Sequence, residues 1–333
     1  MYTPKTPGSN HLKELQQFVN DDLHEMNDII KSLTYGKAEL IYLLSDYLIG
    51  SGGKRLRPLL TLVCAKLCNY KGDDHVKLAA AVEFIHNATL LHDDVVDESD
   101  LRRGMPTANN KWGNKASILV GDFLLSQSFR LMVSVGSIKV LDILSNAAAV
   151  IAEGEVMQLS VTNNIEITEE EYIEIITAKT AELFASACEL GAVVAGSGEQ
   201  YEVNLRKFGI NLGIAFQIID DALDYSATEA EFGKKIGDDF REGKVTLPAI
   251  FAYKAATDLE RDFWLRTLKE LKQNDEDLKT AIDLIKKYGI LKEINQYAAR
   301  YIDLSREALL LFPESEAKNM LLDILDFTID RNF

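Results

Sequence analysis

The chain has 333 residues, 47% of them hydrophobic and 26% charged, with only 6 prolines, a composition that fits a globular, helix-rich protein and excludes a disordered or collagen-like one. Asp and Glu total 52 against 36 Lys and Arg, a formal charge of -16, so the overall field repels nucleic acid and anionic membrane surfaces. A polyanionic substrate would therefore need basic residues or bound cations supplied locally.

Met1 to Asn10 carry neither an apolar core nor a small-residue cleavage site, so residues 1–11 read as a flexible N-terminus without a signal peptide. No apolar run, Ala147 to Ala152 included, is long enough to span a bilayer, and a cytoplasmic protein without an integral membrane segment is the expectation. From there apolar residues recur at three- and four-residue intervals almost to the end, while strand-like alternation is scarce, so the chain reads as all-α. The first break, Ser51-Gly52-Gly53, leads into Lys54, Arg55 and Arg57, three cations on a glycine-started turn that suits a diphosphate but is also common on surfaces. Cys64 and Cys68, four apart on a helix, have Cβ atoms about 5–6 Å apart, too far for good disulfide geometry, and with Cys188 they read as reduced core residues.

An apolar helix then ends in Asp93-Asp94-Val95-Val96-Asp97, with His86 on the same polar stripe. After breaks at Arg103-Gly104-Met105-Pro106 and Thr162-Asn163-Asn164 comes a helical segment from Glu170 to Leu190 carrying Lys179 and Thr180; taken alone, Lys179 reads as a solvated lysine. The next helix, Val203 to Tyr225, has an apolar face of Phe208, Leu212, Ala215, Phe216, Ile219 and Leu223, carries Gln217, and ends in a second cluster, Asp220-Asp221-Ala222-Leu223-Asp224. The charged stretch Ser226 to Lys244 follows, with Lys234, Lys235, Asp238, Asp239 and Lys244. No break has the character of an interdomain linker and no solenoid period is present, so residues 12–333 are expected to form one helical domain.

Positions i and i+4 share a helix face, which predicts three carboxylates near one small volume at each helix end. Acids at a helix C-terminus are opposed by the helix dipole and by one another, so the clusters are costly without cations. Carboxylates are hard ligands suited to magnesium, which takes one or two of them and completes its shell with water and phosphate oxygens. One such cluster alone is as readily a solvated acidic helix end; two in matching contexts favour metal binding.

On these residues, and on the stretches GGKRLRP, LLHDDVVDESDLRRG, VGDFLL, IAEGEVMQL, KTAELF, AFQIIDDALDY and GKKIGDDFREGKVTLP, the chain resembles the trans-prenyl diphosphate synthase family, most closely its bacterial octaprenyl diphosphate synthases. The resemblance runs from about Leu12 to the C-terminus. It implies a helical bundle of the isoprenoid synthase type with a central active-site cavity. It also implies that Asp93, Asp94 and Asp97 with Asp220, Asp221 and Asp224 hold Mg2+ ions on an allylic prenyl diphosphate, contacted directly by Arg102, Lys179, Lys234 and Lys244. Lys54, Arg57, His86 and Arg103 resemble the isopentenyl diphosphate site, and Thr180 and Gln217 match positions near the developing carbocation. Two points depart from or go beyond the common pattern: Lys235 is often polar in relatives, and the terminal Asp330-Arg331-Asn332-Phe333 does not identify the group that closes the site.

The expected activity is repeated condensation of isopentenyl diphosphate onto an allylic primer, farnesyl diphosphate foremost, to a long product for a quinone side chain. Other product lengths, a terpene cyclase and a non-catalytic partner subunit are the alternatives. Thr89 and Ala88, four and five residues before Asp93, lie about 6–7.5 Å below it along the helix. Short-chain relatives carry bulky aromatics there, so a tunnel is expected to continue downward, with Met132 resembling the floor position of long-chain members. Met132 is nearly as well explained as core filler. Apolar residues on more than one side of Ala116 to Phe129 suggest a subunit interface, and the resemblance implies a homodimer whose product is handed to the membrane.

Overall fold

The computed structural model describes residues 11–36, 38–50, 53–102, 104–226 and 237–330. The described chain is all-α, as its periodicity requires; its strands amount to one antiparallel pair, β1 (Leu101–Arg102) against β2 (Met105–Pro106). It divides into two compact units, one of Met1–Ala148, Leu183–Gly209 and Glu307–Ile324, the other of Ala149–Glu182, Ile210–Arg306 and Leu325–Phe333. The divisions fall inside helices such as Ile138–Ser160 and Glu199–Leu223, so no linker-like composition marks them.

In the first unit, α1 (His11–Phe18) and α2 (Asn20–Thr34) are amphipathic and bury Leu15, Met26 and Ile30. His11 Nδ1 lies 3.9 Å from an Asp323 oxygen, tying α1 to the last helix. Helix α3 (Glu39–Gly50) is followed by α4 (Leu56–Leu67) and α5 (Asp74–Val96). The last of these buries Val76, Leu78, Ala79, Ala80, Val82, Phe84, Ile85 and Leu91, apolar surface on nearly every side, which is the pattern of a core helix. After the short α6 (Ala108–Trp112), α7 (Asn114–Val135) packs along α5. Their approach needs a glycine: a Cβ on Gly121 would lie 2.4 Å from His92 Nε2.

By length and composition α7 is apolar enough to cross a bilayer, which no unbroken apolar run in the sequence had signalled. Its apolar residues are interrupted by Gly121, Asp122 and Arg130, and one side of it, with Val120, Leu124, Leu131 and Met132, is buried. Leu119 and Val133 on the same helix are 67% and 62% exposed. The three cysteines are free thiols, but the partner of Cys64 is Cys188 rather than Cys68, which meets Ser197 instead.

The second unit begins within α8 (Ile138–Ser160) and builds its core from Ile165, Tyr172, Ile176, Ile218, Phe240, Ile250, Trp264, Ile285 and Ile294. Thr168 opens α9 (Glu169–Ile176) with a reciprocal capping box, its hydroxyl accepting from the Glu171 N–H at 3.1 Å while the Glu171 carboxylate accepts from the Thr168 N–H at 2.8 Å. The helix expected from Glu170 to Leu190 is interrupted by a π-turn, Thr177–Ala181, before α10 (Glu182–Val194). The helix expected from Val203 is α11 (Glu199–Leu223), which starts four residues earlier, just after the left-handed Gly198. Among the described residues, four short or medium helices follow: α12 (Asp238–Arg241), α13 (Leu247–Ala255), α14 (Asp258–Trp264) and α15 (Asp277–Lys287). They lead to α16 (Ile290–Ala308) and α17 (Glu316–Ile329).

Candidate active site

In the first unit the aspartate motif ends α5 as expected, but its carboxylates do different things. Asp94 is 1% exposed and receives both Arg102 Nε, at 2.8 Å, and Arg102 Nη2, at 2.7 Å, on one oxygen. The β1–β2 turn carries Arg102 back to that point, and Asn109 secures it by donating to the Asp94 carbonyl at 3.0 Å. Asp93 and Asp97 are half-buried, and Asp97 caps the helix with its N–H on the Asp93 carbonyl at 2.8 Å.

The basic turn before α4 also separates its cations. Arg55, in the left-handed region at φ 45°, turns toward α2 and donates to Asn27 at 2.5 Å. Arg57 stacks over the Phe184 ring at 4.5 Å and meets His86 Nε2 at 3.2 Å, so His86 and Arg57 form one group rather than two separate contacts. Lys54 is half-buried at the start of the turn. Ala88 and Met132 are 2% and 0% exposed on α5 and α7, and the Thr89 hydroxyl donates to the His86 carbonyl at 2.7 Å.

In the second unit the motif at the end of α11 is more deeply engaged. Asp221 accepts from the Tyr172 hydroxyl and from the Gln217 amide, both at 2.6 Å, and Gln217 in turn accepts from the Thr180 hydroxyl at 3.0 Å. Asp224 accepts the backbone N–H groups of Gly237, Asp238 and Asp239 at 3.1, 3.3 and 2.9 Å, which ties the start of α12, with Gly237 at its N-cap, to the end of α11. Burial pushes the Asp221 carboxyl up to about 7, with the neighbouring charges of Asp220 and Asp224 adding to the shift. Burial raises Asp224 as well, and burial with the Asp224 and Asp221 charges raises Asp239 well above the carboxylate range.

Lys179 and Thr180 both sit in the π-turn, and Lys179 is not a solvated lysine: it donates to Glu155 of α8 at 2.6 Å. Lys244 pairs with Glu242 at 2.8 Å. Each described cation expected to contact the allylic diphosphate, Arg102, Lys179 and Lys244, is thus held by a carboxylate, as an acidic chain dictates. Arg103, Lys234 and Lys235 lie outside the described residues.

The carboxylates of each motif are near neighbours, close enough in the second for the Asp220 and Asp224 charges to raise Asp221, but they do not converge on a single point. Among the described residues, the trio of potential ligand atoms mutually within 4.8 Å is His11, Glu14 and Asp323, not either motif. The cause is visible: Arg102 draws Asp94 aside, Tyr172 and Gln217 draw Asp221, and the N–H groups of 237–239 draw Asp224. The donor set still fits magnesium, which asks the protein for one or two carboxylates per ion. Mutual repulsion of buried acids around Asp221 is the electrostatic condition that a cation relieves. Tyr172, Glu155 and Asp239 were not singled out as site residues from the sequence. For Tyr172 a signal existed, since the Thr168-x-x-Glu171 box places it in the first turn of α9.

A family model described as Polyprenyl synthetase matches residues 38–285. The octaprenyl diphosphate synthase of Escherichia coli is 40% identical over 322 residues, which are 97% of this chain and 99% of that one. The crystal structure of a decaprenyl diphosphate synthase from Rhodobacter capsulatus superposes with a TM-score of 0.92 at 47% identity, covering 96% of this chain and 99% of that one. A polyprenyl synthase from Caulobacter crescentus, complexed with calcium and isoprenyl diphosphate, gives 0.94 at 45% identity over 98% of this chain and 99% of that one. With the match running through both aspartate motifs and nearly the whole length of the chain, the protein belongs to the polyprenyl synthetase family.

Proposed function

We propose that the chain condenses isopentenyl diphosphate with an allylic prenyl diphosphate, farnesyl diphosphate as primer, in successive 1'-4 additions. The product is a long all-trans polyprenyl diphosphate, octaprenyl diphosphate for a quinone side chain. The observation that carries this reading is the intact pair of aspartate motifs together with the Thr180–Gln217–Asp221 hydrogen-bonded chain beside the second. A terpene cyclase would not need Lys54 or the Arg57–His86 pair, and a non-catalytic subunit would be expected to lack part of the aspartate set.

Asp93, Asp94, Asp97 and Asp220 would hold Mg2+, with Asp221 and Asp224 contributing the lone pairs that their present donors leave open. Divalent ions bound there supply the positive charge that makes diphosphate a good leaving group. Arg102, Lys179 and Lys244 exchange their carboxylate partners for phosphate oxygens of the allylic substrate, which Lys234 contacts as well. Lys54, Arg57, His86 and Arg103 hold isopentenyl diphosphate, so that its double bond attacks the allylic cation as the C–O bond breaks. The oxygens of Thr180 and Gln217 stabilise that cation. The departing diphosphate takes the proton lost at the end of each addition, and apolar helices keep out the water that would quench the cation.

Incubation with farnesyl diphosphate, labelled isopentenyl diphosphate and magnesium tests the reading. Label should enter a lipid-soluble product, and chromatography should place its main component at eight units. No incorporation, or cyclised hydrocarbon, would overturn it. We also propose a homodimer in the cytoplasm, handing its product to the membrane. The support for the dimer is the exposed apolar set Ile118, Leu119, Phe129 and Val133 on α7. Light scattering under assay conditions checks it, and a monomeric mass contradicts it.

A further inference from the structure

We propose that Tyr172 is a positioning residue for prenyl transfer, acting through Asp221 to orient Gln217 and Thr180; the proposal rests on the functional reading above. Tyr172 is 3% exposed and Asp221 6% exposed, and each oxygen of that carboxylate has one donor, Tyr172 Oη on Oδ2 and Gln217 Nε2 on Oδ1, both at 2.6 Å.

The two ends of a glutamine amide differ in function, and their assignment follows from their partners. Both Asp221 oxygens act as acceptors, Oδ2 from the Tyr172 hydroxyl and Oδ1 from Gln217, so the end of Gln217 facing Asp221 is its NH2 group. Its carbonyl oxygen is thereby left for Thr180, whose hydroxyl donates to it at 3.0 Å. The pair Gln217 Oε1 and Thr180 Oγ1 is consequently an oxygen-rich, partly negative pole, which is the polarity that a developing allylic cation requires.

Tyr172 keeps this arrangement single-valued. Without its hydroxyl, Oδ2 of Asp221 loses the donor described here inside a buried site, and the carboxylate gains by rotating toward other donors. Gln217 is then released from Oδ1 and free to present its NH2 toward Thr180 and the cation. Tyr172 touches neither substrate in this scheme, so its removal should alter the chemical step and spare binding. Its place on α9, in the turn that the Thr168 capping box sets, gives the hydroxyl a rigid mount.

The test begins with wild-type enzyme, farnesyl diphosphate, isopentenyl diphosphate and magnesium; failure of wild type to condense them would remove the functional reading and this proposal together. Given an active wild type, Tyr172→Phe should lower the single-turnover rate by roughly ten- to a hundredfold while both KM values and the magnesium half-saturation stay within about twofold. Tyr172→Phe and Thr180→Val should also be non-additive, the double variant being little slower than the worse single one. A Tyr172→Phe enzyme of normal rate, one changed only in KM, or two effects that multiply would overturn the proposal. Should Tyr172→Phe fold poorly by circular dichroism, Gln217→Leu provides the second reading, since it removes the link between Asp221 and Thr180 without touching a metal ligand. It is expected to reproduce the rate-only defect with magnesium half-saturation within about twofold, and normal turnover in it would be equally fatal.

Discussion

Gly154 and Lys179 meet more closely than any side chain at position 154 would allow: a Cβ there would lie 2.7 Å from the Lys179 backbone nitrogen and 2.9 Å from the Ala178 Cβ. The glycine lets α8 run against the π-turn, and the π-turn is what carries Lys179 to Glu155 and Thr180 to Gln217. π-bulges of this kind recur at functional sites because they re-aim consecutive side chains. Gly154→Ala should therefore force the turn away, at a cost of about 1–3 kcal/mol for overpacking. We expect helical circular dichroism, a melting temperature lower by several degrees, and turnover reduced at least tenfold. Wild-type turnover in this variant would show that the close approach is incidental.

The aspartates should separate by what each holds. Asp220→Ala should leave stability unchanged or slightly improved, since it relieves repulsion on Asp221, while turnover falls by several orders of magnitude. Asp94→Ala should abolish turnover as well but also destabilise, because it leaves the Arg102 guanidinium without the oxygen that receives two of its N–H groups. Thermal melts alongside assays at varied magnesium distinguish the two. Near-normal activity in either at moderate magnesium would remove the metal assignment.

The raised Asp221 carboxyl makes a prediction about pH. At about 7 in the folded chain against an ordinary 3.8, it stays protonated in the native state over a range where the unfolded chain has already ionised. The folded state then binds more protons, so metal-free stability should fall as pH rises from about 4 to about 7 and level off above, by at most about 1.4 kcal/mol per pH unit for this group. Asp224 and Asp239 are shifted in the same direction, so Asp221→Asn should reduce the slope without abolishing it. Denaturation in chelator across that range measures it, and an unchanged slope in the variant would contradict the assignment.

Product length should respond to the α5–α7 pair. Ala88→Tyr is expected to stop growth after one or two additions to farnesyl diphosphate while the first condensation remains fast. The position is 2% exposed, so some loss of stability should accompany it. Met132→Ala, which opens space at a fully buried point on α7, should lengthen the product distribution. Chromatography of dephosphorylated products reads both. A full-length main product from Ala88→Tyr would show that the chain grows elsewhere.

The helical class and the two aspartate motifs at helix ends were legible because apolar periodicity and short acidic patterns are local properties of the sequence. The helix expected from Val203 differs from α11 by a few residues at either end, the usual margin where caps decide termini. Partners distant in the chain were not legible. Nothing near Lys179 announces Glu155, 24 positions away, and nothing near Asp221 announces Tyr172, 49 positions away.

By itself, the sequence determined that this protein is all-helical, carries paired carboxylate motifs, and must supply its own cations for a polyanionic substrate. Tertiary structure decided which carboxylate each cation meets and where the π-turn breaks the helix expected from Glu170 to Leu190. It also decided that Asp94 meets Arg102, that Asp221 meets Tyr172 and Gln217, and that Asp224 meets the N–H groups of residues 237–239. The reason is that hydrogen bonds between buried groups are chosen by packing, where Gly154 and Gly121 set helix separations that no local pattern encodes.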